Sequence, residues 1–270
     1  MNKLLLPCVA ALAATSIALA TPADDVNAAA KKLADASNYS WARSVQNAGG
    51  GGGGGGRGGG FGGGGPLTGK TEKGGYTVTT SEGQNGPMVI VRKGEKTVMQ
   101  NQEGAWMTTE ELFAQFGGGR GGGQGGAAPG GGQGGGRRGG GFGGGFGGGA
   151  NPAEDIGALV GQAKDLKMAD GAIMGSLTDE GVTQRLGRGG FGGRGGGGGG
   201  QPPAAPTNAS GSVKFWLKDG VVSKYELQVK GTLQGGQGPI EINRTTTVEI
   251  KDVGTTKVEV PADAKKKIDA

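Results

Sequence analysis

The stretch VKFWLKDGVVSKYELQVKG, residues 213–231, carries two runs in which apolar and polar side chains alternate around a Lys-Asp-Gly turn. This period of two predicts an antiparallel hairpin with one buried face. A two-residue Asp-Gly loop would pair Leu217 with Val222 and set apolar residues opposite charged ones. A three-residue Lys-Asp-Gly loop would pair Leu217 with Val221 and keep the apolar side chains together. Because burial favours the second register, we predict the longer loop, with its glycine left-handed at a bulge.

Similar alternation elsewhere predicts further strands of an antiparallel sheet, at residues 76–80, 87–92, 96–100 and 240–251. Short helices are predicted where a capping side chain precedes apolar residues that recur at spacings of three and four. These helices begin after Thr21, Thr108, Asn151 and Thr178, and the third is expected to extend from Pro152 to Lys167. Together the segments predict an α+β fold in which an antiparallel sheet is covered on one face by a few short helices.

Glycine accounts for 68 of the 270 residues and is concentrated in three tracts, 49–65, 117–150 and 187–210. These tracts hold too little apolar surface to offset the backbone entropy lost on ordering, so we predict disordered insertions in loops. The rest of 21–270 is long enough for one domain with a core. The tracts also carry six arginines and no acidic residue. The positive net charge of the chain, +5, therefore comes from these tracts, which we call the arms.

The N-terminus, residues 1–20, reads MNKLLLPCVAALAATSIALA. An early lysine, an apolar stretch and small residues at Ala18 and Ala20 predict a cleavable signal peptide. No second apolar run of about 20 residues follows, so no transmembrane span is expected in the mature chain. We therefore expect an exported protein, located in the periplasm or outside the cell.

The chain has no histidine, and its one cysteine, Cys8, lies in the predicted signal peptide. Thiol nucleophiles, histidine general bases and the common cysteine–histidine zinc sites are therefore excluded in the mature protein. Adjacent carboxylates at 110–111 and 179–180 fit the start of a helix better than an acid–base pair. These features predict a protein that is not an enzyme and that has no catalytic residues, cofactor or metal site.

One formal nucleotide-binding pattern occurs, GGPLTGKT at residues 64–71, which matches G-x-x-x-x-G-K-[ST]. A working phosphate-binding loop needs a strand before its glycines and a helix after its lysine. Here a run of glycines precedes the match, and a turn into a strand is predicted after it. We therefore attribute the match to the high glycine content.

Three phrases resemble the LolA and LppX type of periplasmic carrier of lipids and lipoproteins. They are KGEKTV with EGAW within 93–106, FWLKDGVVSKYELQVKG at 215–231 and TTTVEIKDVGTTKVEVPADAKK at 245–266. Such proteins have a curved, half-barrel-like antiparallel sheet and a helical lid that enclose an apolar cavity for acyl chains. The resemblance implies a ligand cavity lined by Trp106, Phe215, Leu217, Tyr225 and Leu227. The residues alone leave open whether these side chains line a cavity or fill a core.

Two hypotheses of function follow. The first is an envelope protein that binds a lipid or a lipidated protein, as the resemblance implies. The alternative is a non-enzymatic scaffold whose arginine- and glycine-rich arms bind anionic envelope polymers, since arginine on flexible chains is attracted to polyanions. Repeated Arg-Gly-Gly sequences also occur in RNA-binding segments, but the predicted export argues against a nucleic-acid partner.

Overall fold

A computed structural model of the chain describes residues 20–48, 66–83, 86–101, 103–117, 151–187, 205–235 and 238–270. The predicted signal peptide, apart from Ala20, and nearly all of the three glycine tracts lie outside the described residues. The end of the third tract is described, and Thr207 to Ser210 belong to a strand. The disorder predicted for 187–210 therefore does not extend to these residues.

The described residues form eleven strands in one curved, unclosed antiparallel sheet. The strands are β1 (Asn38–Asn47), β2 (Leu67–Glu72), β3 (Tyr76–Gly83), β4 (Gly86–Lys93), β5 (Lys96–Gln100), β6 (Trp106–Thr108), β7 (Ala163–Ala169), β8 (Ala172–Leu177), β9 (Thr207–Lys218), β10 (Val221–Gly235) and β11 (Gly238–Lys251). Their order is β6-β5-β4-β3-β2-β1-β11-β10-β9-β8-β7, so the first and the last strand of the chain pair with each other inside the sheet. The predicted α+β fold with a curved antiparallel sheet is confirmed.

Five helices accompany the sheet in the described ranges: α1 (Pro22–Asp35), α2 (Thr109–Gly117), α3 (Pro152–Gln162), α4 (Asp179–Gly187) and α5 (Ala262–Asp269). The side chains of Thr21, Thr108, Asn151 and Thr178 each accept a hydrogen bond from a backbone N–H of the helix that follows. At the two earlier helices an acidic side chain also accepts from the N–H of the capping threonine, which completes two capping boxes. The predicted starts of α1 to α4 are confirmed.

The third helix ends at Gln162, before the predicted end at Lys167. The following residues form β7, which pairs with β8 across the loop Asp170-Gly171, where φ is 52° and 72°. The apolar spacing that continues to Leu166 therefore belongs to an edge strand, because pairing with β8 overrides the helical pattern. An Asp-Gly pair between two apolar runs is a hairpin signal, and it identifies the two strands that the sequence analysis missed. The strands β1 and β2 and the helix α5 were also not predicted.

The hairpin of β9 and β10 has a two-residue loop, so the predicted three-residue loop is wrong. The loop residues 219–220 have φ of 54° and 73°, and Val222 pairs with Leu217. A register shift after Val222 then brings Tyr225 opposite Phe215. The short loop supplies the twist of a tight turn, and the bulge returns the apolar side chains to one face. The predicted grouping of Phe215, Leu217, Tyr225 and Leu227 is thus correct. The loop is not, and Val222 takes the main-face position that was predicted for Val221.

The pairing registers assign each strand residue to one of two faces, because directly paired residues project to the same side of a sheet. We call the side that carries Trp41, Phe215 and Tyr225 the main face. The opposite side, which carries Val91 and Val98, is the reverse face.

Helices cover parts of both faces, and not of one face as predicted. The main-face cluster beneath α1, α3 and α4 contains the largest set of buried side chains in the described residues. Farther along the main face, α2 contributes Leu112 to a smaller cluster with Ile90 and Met99. The C-terminal helix α5 packs on the reverse face through Ala264 and Ile268. The broadest helix-covered apolar surface therefore lies between strands β8–β11 and the helices α1, α3 and α4.

Candidate functional site

Four of the five predicted cavity residues lie together on the main face. Phe215, Tyr225 and Leu227 are only 0%, 3% and 7% exposed, and the partly buried Leu217 packs against the same cluster. The rings of Phe215 and Tyr225 are tilted by 40°, with their centroids 6.5 Å apart. The alternation in residues 213–231 therefore identifies residues that share one surface.

The fifth residue, Trp106, does not join them. It lies in β6, the edge strand at the other end of the sheet, and pairs with Gln100. This pairing directs its side chain to the reverse face, where it packs against the cluster of Tyr76 and Ile268 beneath α5. Seven strands separate β6 from β9 in the sheet, so the sequence phrase around Trp106 could not indicate which face the ring occupies.

Apolar helix side chains lie over the four main-face residues. They are Val26, Ala29, Ala30 and Leu33 of α1 and Ile156, Leu159 and Val160 of α3, all of them buried. Two small pockets, of about 180 and 260 Å³, lie elsewhere, and their walls include Ser212, Gln228 and Asn243. In this arrangement the four residues pack against the helices.

A buried polar network crosses this apolar surface and joins the sheet to its cover. The Tyr225 hydroxyl donates to Asp155 Oδ2 of α3 at 2.8 Å. Arg185 of α4 donates from Nη1 to Asp155 Oδ1 at 2.6 Å, and from Nε to Gln162 Oε1 at 2.8 Å. The Arg185 side chain is only 7% exposed. Asp155 therefore holds together one strand and two helices through its two carboxylate oxygens.

The electrostatics of the network keep the tyrosine neutral. Burial raises the pKa of Tyr225 well above its ordinary value, and the nearby carboxylate of Asp155 acts in the same direction. Since the neutral phenol is the form that donates, the hydrogen bond to Asp155 persists across the physiological pH range.

Two further arginines adjoin this network from the central strands. Arg43 of β1 and Arg244 of β11 are half-buried main-face residues. Arg244 Nη2 donates to the backbone oxygen of Arg185 at 2.9 Å, which satisfies a carbonyl in the last turn of α4. Burial lowers the pKa of Arg244, as do the charges of Arg43 and Arg185. The hydrogen bond from Arg244 therefore joins the central strand β11 to the end of α4.

The sequence analysis did not identify Arg43, Asp155, Arg185 or Arg244. A signal was present for two of them, because each interrupts an alternating apolar row at a position where the register directs the side chain to the buried face. Arg43 follows Trp41 by two residues, and Arg244 lies between Ile242 and Val248. The other two side chains come from helices, and their approach depends on how α3 and α4 pack.

Next to the network, the GGPLTGKT pattern is used for packing. Its residues from Leu67 onward form β2, and they are followed by a turn and β3 instead of a helix. Gly69 lies directly against the indole of Trp41, whose Nε1 donates to Thr71 Oγ1 at 3.2 Å. Tyr39, which pairs with Thr71 in the sheet, donates its hydroxyl to Asn151 Oδ1 at the start of α3. The glycine and threonine of the pattern thus accommodate a tryptophan, and the lysine lies on the reverse face.

Within the described ranges, no group of three or more Asp, Glu, Cys or His side chains is placed to hold a metal ion. None of the helices in this part of the chain is long and apolar enough to span a membrane.

No protein-family model and no curated protein sequence matches the chain. Similar solved structures include the lipoprotein LppX of Mycobacterium tuberculosis, at 8% identity and a TM-score of 0.41, over 89% of this chain and 98% of LppX. They also include LprF of Mycobacterium bovis, at 10% identity and a TM-score of 0.41, over 90% of this chain and 97% of LprF. LppX, whose type the sequence phrases resemble, is thus among the solved structures that are similar to this chain. No residue of either protein can be assigned to a position of this chain at such identities.

Proposed function

We propose that this chain is a non-catalytic binding protein for a lipid or a lipid-modified protein. An acyl chain would insert between the main face and the helices that cover it. The observation that carries the proposal is the construction of this cover. Three short helices, α1, α3 and α4, lie on a broad apolar surface of a sheet that is not closed into a barrel.

The energetics of such an insertion are favourable for an apolar chain. Separation of the helices from the sheet breaks side-chain contacts, whereas the backbone hydrogen bonds within strands and helices stay intact. An acyl chain that takes the place of the helix side chains contributes about 0.8 kcal/mol for each buried methylene group. The polar contact between Asp155 and Tyr225 opposes this opening, because both groups are buried and satisfied in the closed arrangement.

The proposal includes export to the envelope or the exterior of the cell. It rests on the signal-like sequence of residues 1–20. N-terminal sequencing of the protein from its native source tests this part, and a mature chain that begins near Thr21 is the expected result.

The binding itself is tested by titration of fluorescent fatty acids of increasing length into the delipidated protein. Saturable binding that strengthens with chain length is expected. Leu227→Trp adds volume between β10 and the cover and should weaken this binding. Val98→Trp is the matched control, since Val98 is 2% exposed in the reverse-face cluster and the same overpacking occurs there.

Both substitutions should lower the unfolding midpoint, since overpacking a core costs about 1–3 kcal/mol. Only Leu227→Trp should also reduce fatty-acid affinity. The proposal fails if the wild-type protein shows no saturable, length-dependent binding, or if both variants lose affinity equally.

A further inference from the structure

Lysine side chains are concentrated on one part of the reverse face. The pairing registers of β7 to β10 direct five of them to this side of the sheet: Lys164, Lys167, Lys214, Lys224 and Lys230. Lys164, Lys167 and Lys230 are exposed, and Lys214 and Lys224 are partly buried. We call these five side chains the lysine patch.

Few acidic groups balance the lysine patch. Glu226 lies opposite Lys214 on the same face, and Asp165 lies at the bulge of β7, outside the paired register. Glu249 of the neighbouring β11 forms an ion pair with Lys251 of its own strand, at 2.8 Å. In the described part of the chain, none of the five patch lysines forms an ion pair. The patch therefore keeps an excess of positive charge.

An aromatic ring lies within the patch. Trp216 of β9 pairs with Lys224 on the reverse face, and its side chain is partly buried. The Nζ atom of Lys224 lies over this ring, 4.7 Å from its centroid. Tryptophan combines an apolar ring with a polar N–H and is enriched where a membrane meets water. Lysine can pack its apolar stem beside such a ring while its charge stays in water.

The charge of the patch argues against two occupants from this chain itself. The glycine-rich arms carry six arginines and no acidic residue, so the lysines repel them. The same face of a second copy brings an equal positive charge and is repelled as well. The partner that complements this face is therefore anionic.

The lysines are spread in two dimensions, which favours an extended surface as the partner. The four strands β7 to β10 span about 14 Å, because neighbouring strands lie about 4.8 Å apart. Lys224 and Lys230 lie about 20 Å apart along β10, at about 3.4 Å per residue. A single linear polymer follows one row of charges, whereas the headgroups of a bilayer meet all five lysines at once.

We propose that the lysine patch docks the folded domain on the surface of an anionic lipid bilayer, with Trp216 at the level of the headgroups. Lysines near such a surface are attracted to it within a screening length of about 8–10 Å, so five lysines on one face act together. The helices α1, α3 and α4 lie on the opposite face, so this docking leaves the cover of the proposed acyl site free to move. The docking does not depend on acyl binding, and either proposal can fail without the other.

Sedimentation of the full chain with lipid vesicles tests the docking. Vesicles of phosphatidylcholine are compared with vesicles that also contain the anionic lipid phosphatidylglycerol. The patch variant removes the three exposed charges of the patch, through Lys164→Gln, Lys167→Gln and Lys230→Gln. The control variant changes three exposed lysines of α1, of β5 and of the segment after β11, through Lys31→Gln, Lys96→Gln and Lys257→Gln. Both variants change the net charge equally and keep the arms, and circular dichroism melts verify that each is folded.

We expect the wild type to bind the anionic vesicles more tightly than the neutral ones. The patch variant should bind the anionic vesicles at least about tenfold more weakly, since each lysine near an anionic surface contributes to binding. The control variant should lose much less affinity. Equal losses in the two variants would overturn the proposal, because the total charge alone would then account for the binding. Equal binding of the wild type to both kinds of vesicle would overturn it too.

Quenching of tryptophan fluorescence separates a bilayer from a soluble polyanion. Anionic vesicles that contain brominated lipid should quench the emission of the wild type, and this quenching should be lost in Trp216→Phe. Of the other two tryptophans, Trp41 is buried and Trp106 packs beneath α5. Vesicle binding without this quenching contradicts the proposal. So does a patch variant that loses affinity for dextran sulfate and keeps its affinity for vesicles, because the face then binds an acidic polymer. Loss of fatty-acid binding with retained vesicle binding would refute the acyl proposal alone.

Discussion

The contact between Gly69 and Trp41 offers a sharp test of how β1 and β2 are packed. A Cβ atom added at Gly69 would lie 2.6 Å from Trp41 Nε1 and would overlap the neighbouring ring carbons Cε2 and Cζ2. The indole is 3% exposed and cannot shift into solvent. Gly69→Ala should therefore displace the ring and break its hydrogen bond to Thr71 Oγ1.

The expected loss of stability has two parts. Overpacking of a core with displacement of a rigid side chain costs about 1–3 kcal/mol. Loss of the buried bond from Trp41 to Thr71 adds about 1 kcal/mol. Gly69→Ala should therefore lower the free energy of unfolding by about 2–4 kcal/mol, a large share of the roughly 5–15 kcal/mol typical of a domain.

Urea unfolding followed by far-ultraviolet circular dichroism measures this loss, and a double-mutant cycle assigns its cause. In a Trp41→Leu background the indole atoms that the new Cβ would overlap are absent, so Gly69→Ala should cost less than about 1 kcal/mol. Gly157→Ala is the control, because a Cβ at this exposed position of α3 meets nothing within 4 Å. It should stabilise by about 0.5–1 kcal/mol through helix propensity. Equal losses for Gly69→Ala in both backgrounds would refute the contact as the cause.

Three further outcomes are expected. Asp155→Asn should cost about 3–5 kcal/mol in urea unfolding, since it leaves buried Arg185 without its anion. Asp35→Asn, which breaks an exposed pair, is the control and should leave the unfolding midpoint nearly unchanged. Burial raises the pKa of Tyr39 to about 12, so the stabilisation from its neutral hydroxyl is complete below pH 10 and is lost as the pH rises through 12. The melting temperature of Tyr39→Phe should therefore decline less steeply than that of the wild type as the pH rises. Hydrogen bonds from Lys93 and, to a lesser extent, from Tyr76 lower the pKa of Asp269. The protection of α5 from amide exchange should therefore fall as the solution is acidified below the pKa of Asp269 in the unfolded chain. In Asp269→Asn this dependence on pH should be absent.

The parts of the fold that were predicted from the sequence rest on local signals. A capping bond joins residues three apart, and alternation reports the burial of neighbouring positions, so the starts of α1 to α4 and the strands around 213–251 were identifiable. The order of the strands depends on contacts between distant segments. The pairing of β1 with β11, which places Trp41 beside Ile250, has no signal in either segment alone. Local spacing also conflicted at 163–169, where the helical pattern and the Asp170-Gly171 turn gave opposite indications.

In the candidate site, too, local signals identified some residues, whereas others depend on contacts between distant segments. Phe215, Tyr225 and Leu227 were identified because burial imposes a period of two on one hairpin. The arginines were missed because a charged residue in an alternating strand is ordinarily assigned to the solvent side. Here two charged side chains project to the helix-covered face, and their identification requires the register and the positions of α3 and α4. The face of Trp106 likewise depends on an edge pairing of only three residues.

The proposed acyl site and the alternative of charged arms should respond to salt in opposite directions, because they rest on different forces. The apolar surface around Phe215 and Leu227 is proposed to bind through the hydrophobic effect, which excluded salts such as sulfate strengthen. Attraction of arginine-rich segments to an anionic polymer is screened by salt, since the screening length falls from about 10 Å at 0.1 M to about 3 Å at 1 M. A neutral diacylglycerol should therefore bind no more weakly at high salt, whereas the full chain should bind an anionic polymer more weakly. Diacylglycerol binding that weakens as salt rises would contradict the acyl proposal.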